Sequence, residues 1–164
     1  MLAKLCRQEV ITPKDRLLTF YCPDIARKAR PGQFVEVRVT EGTDPYLRRP
    51  ISIFDAQGDE FSLLVRVIGR GTKMMCDWSV GHETDIIGPI GNGFQIVSSD
   101  RTVLLAGGGI GIAPLHFLAG KLAQADIEMK LLFSPKRIRP CYHVLRPPLK
   151  TDKLPKTDMN CRGY

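Results

Sequence analysis

The sequence predicts an all-β unit, a barrel or a sandwich, followed by the opening of a parallel α/β unit. Three observations carry this. The first ninety residues break into short strand-like runs with turn residues between them, the pattern changes after residue 102 to strand, glycine turn and helix, and all periodicity stops after residue 133.

Taken in order, RLLTFYC (16–22) and QFVEVRVT (33–40) read as strands, the second alternating apolar and polar after the turn RPGQ. PISIFD and EFSLLVRVI flank AQGD, a hairpin turn, and TDIIGPI is a further strand ending in Gly and Pro. Five or six strands at this spacing suit a barrel or sandwich. GTKMMCDWSV (71–80) interrupts them: Thr72 reads as the cap of a short helix over residues 73–78. The second unit reads as a strand over 102–106, a helix from about Ile112 to Gln124 and a strand over 127–133, one βαβ unit. The boundary falls at VSSDR, residues 97–101. Residues 134–164 hold five prolines and neither helical nor strand periodicity. Two parallel strands cannot cover both faces of a sheet, so the second unit begins here without being completed.

The net charge of +7 is local: residues 134–164 carry eight basic side chains against two acids, which leaves sixteen against fifteen in residues 1–133. The folded part is thus nearly neutral, and nucleic-acid binding is not expected of it. No run approaches the roughly 20 apolar residues of a membrane span, and the N-terminal stretch has acids and no apolar segment typical of a signal peptide. A cytoplasmic location is the expectation. Five cysteines, an odd number without a CxxC pair, fit free thiols better than a disulfide framework or a zinc site, and the three histidines lack ligand spacing.

Four stretches can carry chemistry. In VLLAGGGIGIAPL the strict G-x-G-x-x-G fingerprint fails, but Gly109-x-Gly111-x-x-Pro114 leaves backbone amides ahead of a helix, suited to an anion; a glycine turn made for packing is the alternative. In YLRRPISIF, Arg48 and Arg49 at the mouth of a strand can hold a diphosphate through forked hydrogen bonds, or be solvated charges beside an edge strand; Pro50 suits a strand start. VIGRGTKMM offers a second helix start with Gly71 and Thr72, or an ordinary capped helix. GPIGNGF is turn-rich enough for more than a hairpin, and also suits a loop joining two units.

In this order and spacing, RRPIS, GRGT, GPIGNGF and AGGGIGIAPL resemble the ferredoxin reductase-like flavoproteins, most closely the electron-transfer subunits of dihydroorotate dehydrogenase. The resemblance covers about residues 1–133. It implies a six-stranded antiparallel FAD-binding barrel (1–98), the start of an NAD-binding α/β domain (99–133), and an irregular basic tail (134–164). Arg49 would pair with the FAD diphosphate and Ser52 lie near the flavin ring, with Pro50 and Ile51 between them in the same motif. Arg66, Val67 and Ile68 would line the flavin, Gly71 and Thr72 begin a phosphate-binding helix, and Gly109, Gly111 and Pro114 form the nicotinamide-side turn. No residue is implied as a catalytic acid or base.

The resemblance further implies an electron relay in pyrimidine biosynthesis: from NADH through FAD and a [2Fe-2S] cluster to the FMN of a partner dihydroorotate dehydrogenase catalytic subunit. Family members run about a hundred residues further and carry the cluster cysteines there. Cys141 and Cys161 offer no such run, and Ser134 to Arg137 supply no acid for a ribose hydroxyl. FAD is therefore the expected cofactor, NAD binding by this chain is in question, and no cluster site is expected in it. Three accounts of residues 134–164 stand open: a shifted or interrupted reading frame after Phe133, a disordered natural extension, and a basic arm for nucleic acid or an acidic membrane. Two functions go with them, an NADH-linked electron-transfer flavoprotein (or another NAD(P)H-dependent flavin or ferredoxin reductase) and a non-catalytic FAD-binding module.

Overall fold

The computed structural model describes residues 1–96 and 102–133; the expected boundary at 97–101 and the tail lie outside them. Six antiparallel strands, β1 (Leu2–Val10), β2 (Asp15–Tyr21), β3 (Phe34–Val37), β4 (Arg49–Gln57), β5 (Glu60–Arg66) and β6 (Glu83–Ile90), close into a barrel in the order β1, β2, β5, β4, β3, β6. Pairing of β6 back onto β1 completes the ring, so no strand edge is left open. Period-two burial explains why these runs are strands: Ala3 and Leu5, Leu18 and Phe20, Val35 and Val37, and Phe61, Leu63 and Val65 all fill the interior. Phe20 and Phe61 stack there at 5.6 Å.

Two helices serve the barrel. The short α1 (Pro23–Ala26) buries Ile25, and α2 (Arg70–Cys76) buries Met75 and Cys76. The helix expected over 73–78 begins three residues earlier. Thr72 is not its N-cap; Gly69 is, and the Thr72 hydroxyl reaches back to accept hydrogen bonds from the Ile68 and Gly69 amides at 3.0 and 3.2 Å. A threonine in the first turn can satisfy those amides as well as one at the cap, and sequence alone does not separate the two positions.

Beyond the barrel, β7 (Val103–Gly107), one turn of 3-10 helix (Gly109–Ile112), α3 (Ala113–Gln124) and β8 (Met129–Phe133) form the expected βαβ unit, with β7 and β8 parallel from Val103↔Met129 to Gly107↔Phe133. One side of α3 covers this pair through Leu118, Ala119 and Leu122 against Leu105. Its other side belongs to the barrel: Phe117 enters the barrel core, while Ile112 and Ala113 pack with Phe54 and Leu64 on the outer wall. His116 stacks on Phe54 with ring centroids 4.0 Å apart and planes 6° from parallel. Burying a side chain such as Phe54 contributes about 1.5–3 kcal/mol, so this seam is a substantial contact.

Candidate flavin and nucleotide site

Two adjacent arginines enter β4, and strand alternation sends them apart. Arg48 is held by Asp85 on β6: its Nη1 donates to the Asp85 carbonyl at 2.8 Å and its Nη2 to the carboxylate. That carboxyl sits below its usual range because Arg48 and the N-terminal ammonium both hydrogen-bond it. Arg49 takes no carboxylate among the described residues; its Nη1 donates to the Leu47 carbonyl at 2.9 Å. The guanidinium lies against the first turn of α2, where a Cβ built on Gly71 would stand 2.4 Å from Arg49 Nε and 3.1 Å from Cζ. Any side chain at this position would force the guanidinium to move away. Sequence reading offered Arg48 and Arg49 as holders of a diphosphate or as solvated charges, with Arg49 singled out by the resemblance; the structure commits Arg48 to Asp85 and leaves Arg49 beside Gly71.

Along β4, Arg49 pairs in register with Val37, Pro50 with Glu36, Ile51 with Val35 and Ser52 with Phe34. Ile51 packs toward the barrel core, while Pro50 is exposed and Ser52 half-buried. At the end of β5, Val67 packs partly into the core and donates its amide to the Lys14 carbonyl at 2.8 Å, whereas Ile68 stands 84% exposed. An isoleucine this open, between a buried strand and the turn into α2, is apolar surface suited to a flat aromatic ligand.

Arg66 is the residue whose surroundings were least legible. Its Nε and Nη2 donate to the two carboxylate oxygens of Asp15 at 2.6 and 2.9 Å, a forked pair between residues directly opposed across β2 and β5. Asp15 is 1% exposed and also accepts from the Thr12 hydroxyl at 2.8 Å. Burial alone would raise this carboxyl, but Arg66 and Thr12 outweigh it and hold it below its ordinary value. Arg66 Nη1 lies 3.6 Å from where a Cβ on Gly109 would be, so one side chain joins the end of β5 to the glycine turn.

Gly109 needs its freedom, with φ at +57°, and Gly107 is packed so closely that a Cβ would come within 2.8 Å of Leu115. Around Gly108 and Gly111 the space is open to 4 Å, so the backbone is accessible there, and Pro114 sits in the first turn of α3. Of the GPIGNGF loop, Gly91 packs on Phe34 and the Phe94 amide donates to the Pro31 carbonyl at 2.7 Å, closing the barrel's end.

Sequence reading missed Asp15, Asp85 and the Phe54–His116 seam; only β1, with Ala3 and Leu5 on either side of Lys4, left a strand signal that went unnamed. Cys22 and Cys76 are buried thiols, and among the described residues no group of three or more His, Cys, Asp or Glu side chains could hold a metal ion. Nor is any helix there long and apolar enough to cross a membrane. Cys141 and Cys161 lie outside the described residues.

No family model matches the chain. It is 43% identical over 129 residues to the protein of Desulforamulus reducens named dihydroorotate dehydrogenase B (NAD(+)), electron transfer subunit, covering 77% of this chain and 49% of that one. A protein of the same name from Lysinibacillus sphaericus is 45% identical over 109 residues, covering 64% of this chain and 42% of that one. Among solved structures, the NADH-dependent reduced ferredoxin-NADP oxidoreductase studied for flavin-based electron bifurcation superposes with a TM-score of 0.73 at 29% identity, over 81% of this chain and 48% of that chain. The chain spans about half the length of the curated relatives it matches.

Proposed function

From the chain's membership of the ferredoxin reductase-like flavoproteins, we propose that residues 1–98 form an FAD-binding unit and that residues 99–133 open a pyridine-nucleotide unit beside it. The observation that carries the reading is Arg49 against Gly71: a guanidinium without a carboxylate partner among the described residues, laid over a helix start where a Cβ would push it aside. A diphosphate would take that charge through forked, charge-assisted hydrogen bonds, with Gly71 and Thr72 completing the cradle. Pro50, Ile51 and Ser52 on β4 and Arg66, Val67 and Ile68 after it would border the flavin. Gly109, Gly111 and Pro114 would present open backbone to the nicotinamide side. When bound, FAD supplies two-electron uptake from a hydride donor and one-electron release, and this chain's residues bind it, orient it and set its charge environment.

For the complete protein, we propose NADH as the hydride donor, an FMN-containing dihydroorotate dehydrogenase catalytic subunit as the partner, pyrimidine biosynthesis as the context and the cytoplasm as the location. The [2Fe-2S] cluster implied by the resemblance has no ligand set among the described residues, and none of them is given a role toward it. A second reading is a non-catalytic FAD-binding module, which the same Arg49 and Gly71 contact would serve without any nucleotide site beside it. One experiment tests both: titrate the protein with FAD, then add NADH without oxygen. Flavin quenching on binding followed by bleaching at a catalytic rate supports the electron-transfer reading. Binding with persistent yellow colour supports the module, and no binding refutes both.

A further inference from the structure

The turn from β5 into α2 is shaped by one buried side chain. The Thr72 hydroxyl accepts from the Ile68 amide at 3.0 Å and from the Gly69 amide at 3.2 Å, and it donates to the Gly69 carbonyl at 3.0 Å. A hydroxyl has one proton to donate and two lone pairs to accept with, so this one is fully used. A bond to a phosphate would cost it one of the three. The Gly69 carbonyl also accepts the Lys73 amide at 2.9 Å, which locks the turn to the helix. Gly69 itself does not impose the turn, because φ −164° and ψ −177° are extended backbone that any residue adopts. Ile68 stands open to solvent, so packing does little to hold it and its main chain decides where it sits. That main chain is tied on one side by the Val67 amide on the Lys14 carbonyl at 2.8 Å, and on the other by Thr72.

We propose that Thr72 is a positioning residue for the flavin site: its hydroxyl takes no bond to the diphosphate and instead fixes the turn over residues 67–69, presenting Ile68 as an apolar face to the flavin ring. The inference rests on the FAD reading above and divides the labour within it. Arg49, beside Gly71, meets the charge, and Thr72 serves the cradle through its main chain alone. Its side chain holds the backbone on which Ile68 stands. An apolar residue already in place loses little freedom when a ring covers it. One carried on a loose turn has to be ordered as the ligand binds, and that entropy weakens affinity.

The test is a pair of double-mutant cycles on FAD affinity, read by flavin fluorescence quenching, with calorimetry to confirm that each variant is folded. Thr72→Val removes the hydroxyl at nearly constant shape, and Thr72→Ser keeps it. Thr72→Val and Ile68→Ala are each expected to weaken FAD binding by about three- to tenfold, and together by little more than either alone, because Thr72 acts through Ile68. The loss in Thr72→Val is expected to add to that of Arg49→Ala, and Thr72→Ser to bind FAD within about twofold of wild type. A hydroxyl that touched the diphosphate would give the reverse pattern. Additivity with Ile68→Ala, or coupling to Arg49→Ala, therefore overturns the proposal, as does wild-type affinity in Thr72→Val or an equal loss in Thr72→Ser. Should two amides without a partner keep Thr72→Val from folding, Thr72→Ala, with its better helix former, goes through the same cycles and is read in the same way. Failure of the unaltered chain to bind FAD is a separate result that removes the underlying reading and this inference together.

Discussion

Replacing Gly71 by alanine should separate folding from flavin binding. Gly71 lies inside the first turn of α2, so the substitution exchanges the poorer helix former for the best one and is expected to raise stability by up to about 1 kcal/mol, or ~2–4 °C in Tm. The new methyl, however, would sit 2.4 Å from Arg49 Nε, and since carbon and nitrogen settle near ~3.5 Å the guanidinium must retreat by about 1 Å. A long side chain can do so at little cost to the fold. The binding site loses its charged contact with a diphosphate, worth about 1.5–3 kcal/mol, so FAD affinity is expected to fall by roughly ten- to hundredfold. Flavin fluorescence quenching measures the affinity and calorimetry the stability. Gly71→Ala and Arg49→Ala should also be strongly non-additive, because each removes the same interaction. A Gly71→Ala protein that binds FAD with wild-type affinity, or whose effect simply adds to that of Arg49→Ala, would refute the reasoning.

The two neighbouring arginines should respond in opposite ways. Arg49→Ala is expected to weaken FAD binding with little change in melting temperature, while Arg48→Ala, which leaves Asp85 on β6 with only the N-terminal ammonium, should lower the melting temperature and leave FAD affinity closer to wild type; equal affinities of the two variants would count against the assignment. At the seam, His116 titrates below its ordinary value because it is buried, with Asp55 opposing only in part, and its Nδ1 is buried without a hydrogen-bond partner. The unfolded side chain takes up its proton first as pH falls. The stability held by the neutral ring is therefore present above about pH 6.5 and lost as pH drops through the lower folded value. His116→Phe should keep the stack on Phe54, relieve an unpaired polar atom and flatten the decline in melting temperature between pH 7.5 and 5; an unchanged slope would show that another group governs it.

What could be read from the sequence was what depends on neighbours in the chain. Alternation gave most barrel strands, Gly58 with its φ of +59° marks the hairpin that AQGD signalled, and glycine followed by Pro114 announced the turn into α3. Even the blurred boundary of α2 was a local question of which residue satisfies two amides. The rest depends on partners far away. Nothing near Arg66 points to Asp15, 51 residues earlier, and nothing in the pair Arg48 and Arg49 says which will meet Asp85; closure of the barrel decides both. His116 and Phe117 looked like any apolar face of a helix, and that face could have served the parallel strands alone.

The seating of α3 bears on how such proteins can be recombined. Ile112, Ala113 and Phe117 belong by packing to the barrel, although by chain order they belong to the unit that follows it. A chimaera joined at residues 97–101 would match one relative's Phe54 and Leu64 with another's helix, and a mismatch of one or two methylene groups in such a layer is felt throughout it. Exchange should succeed more often when the crossover comes after Gln124, so that the helix travels with the wall it covers.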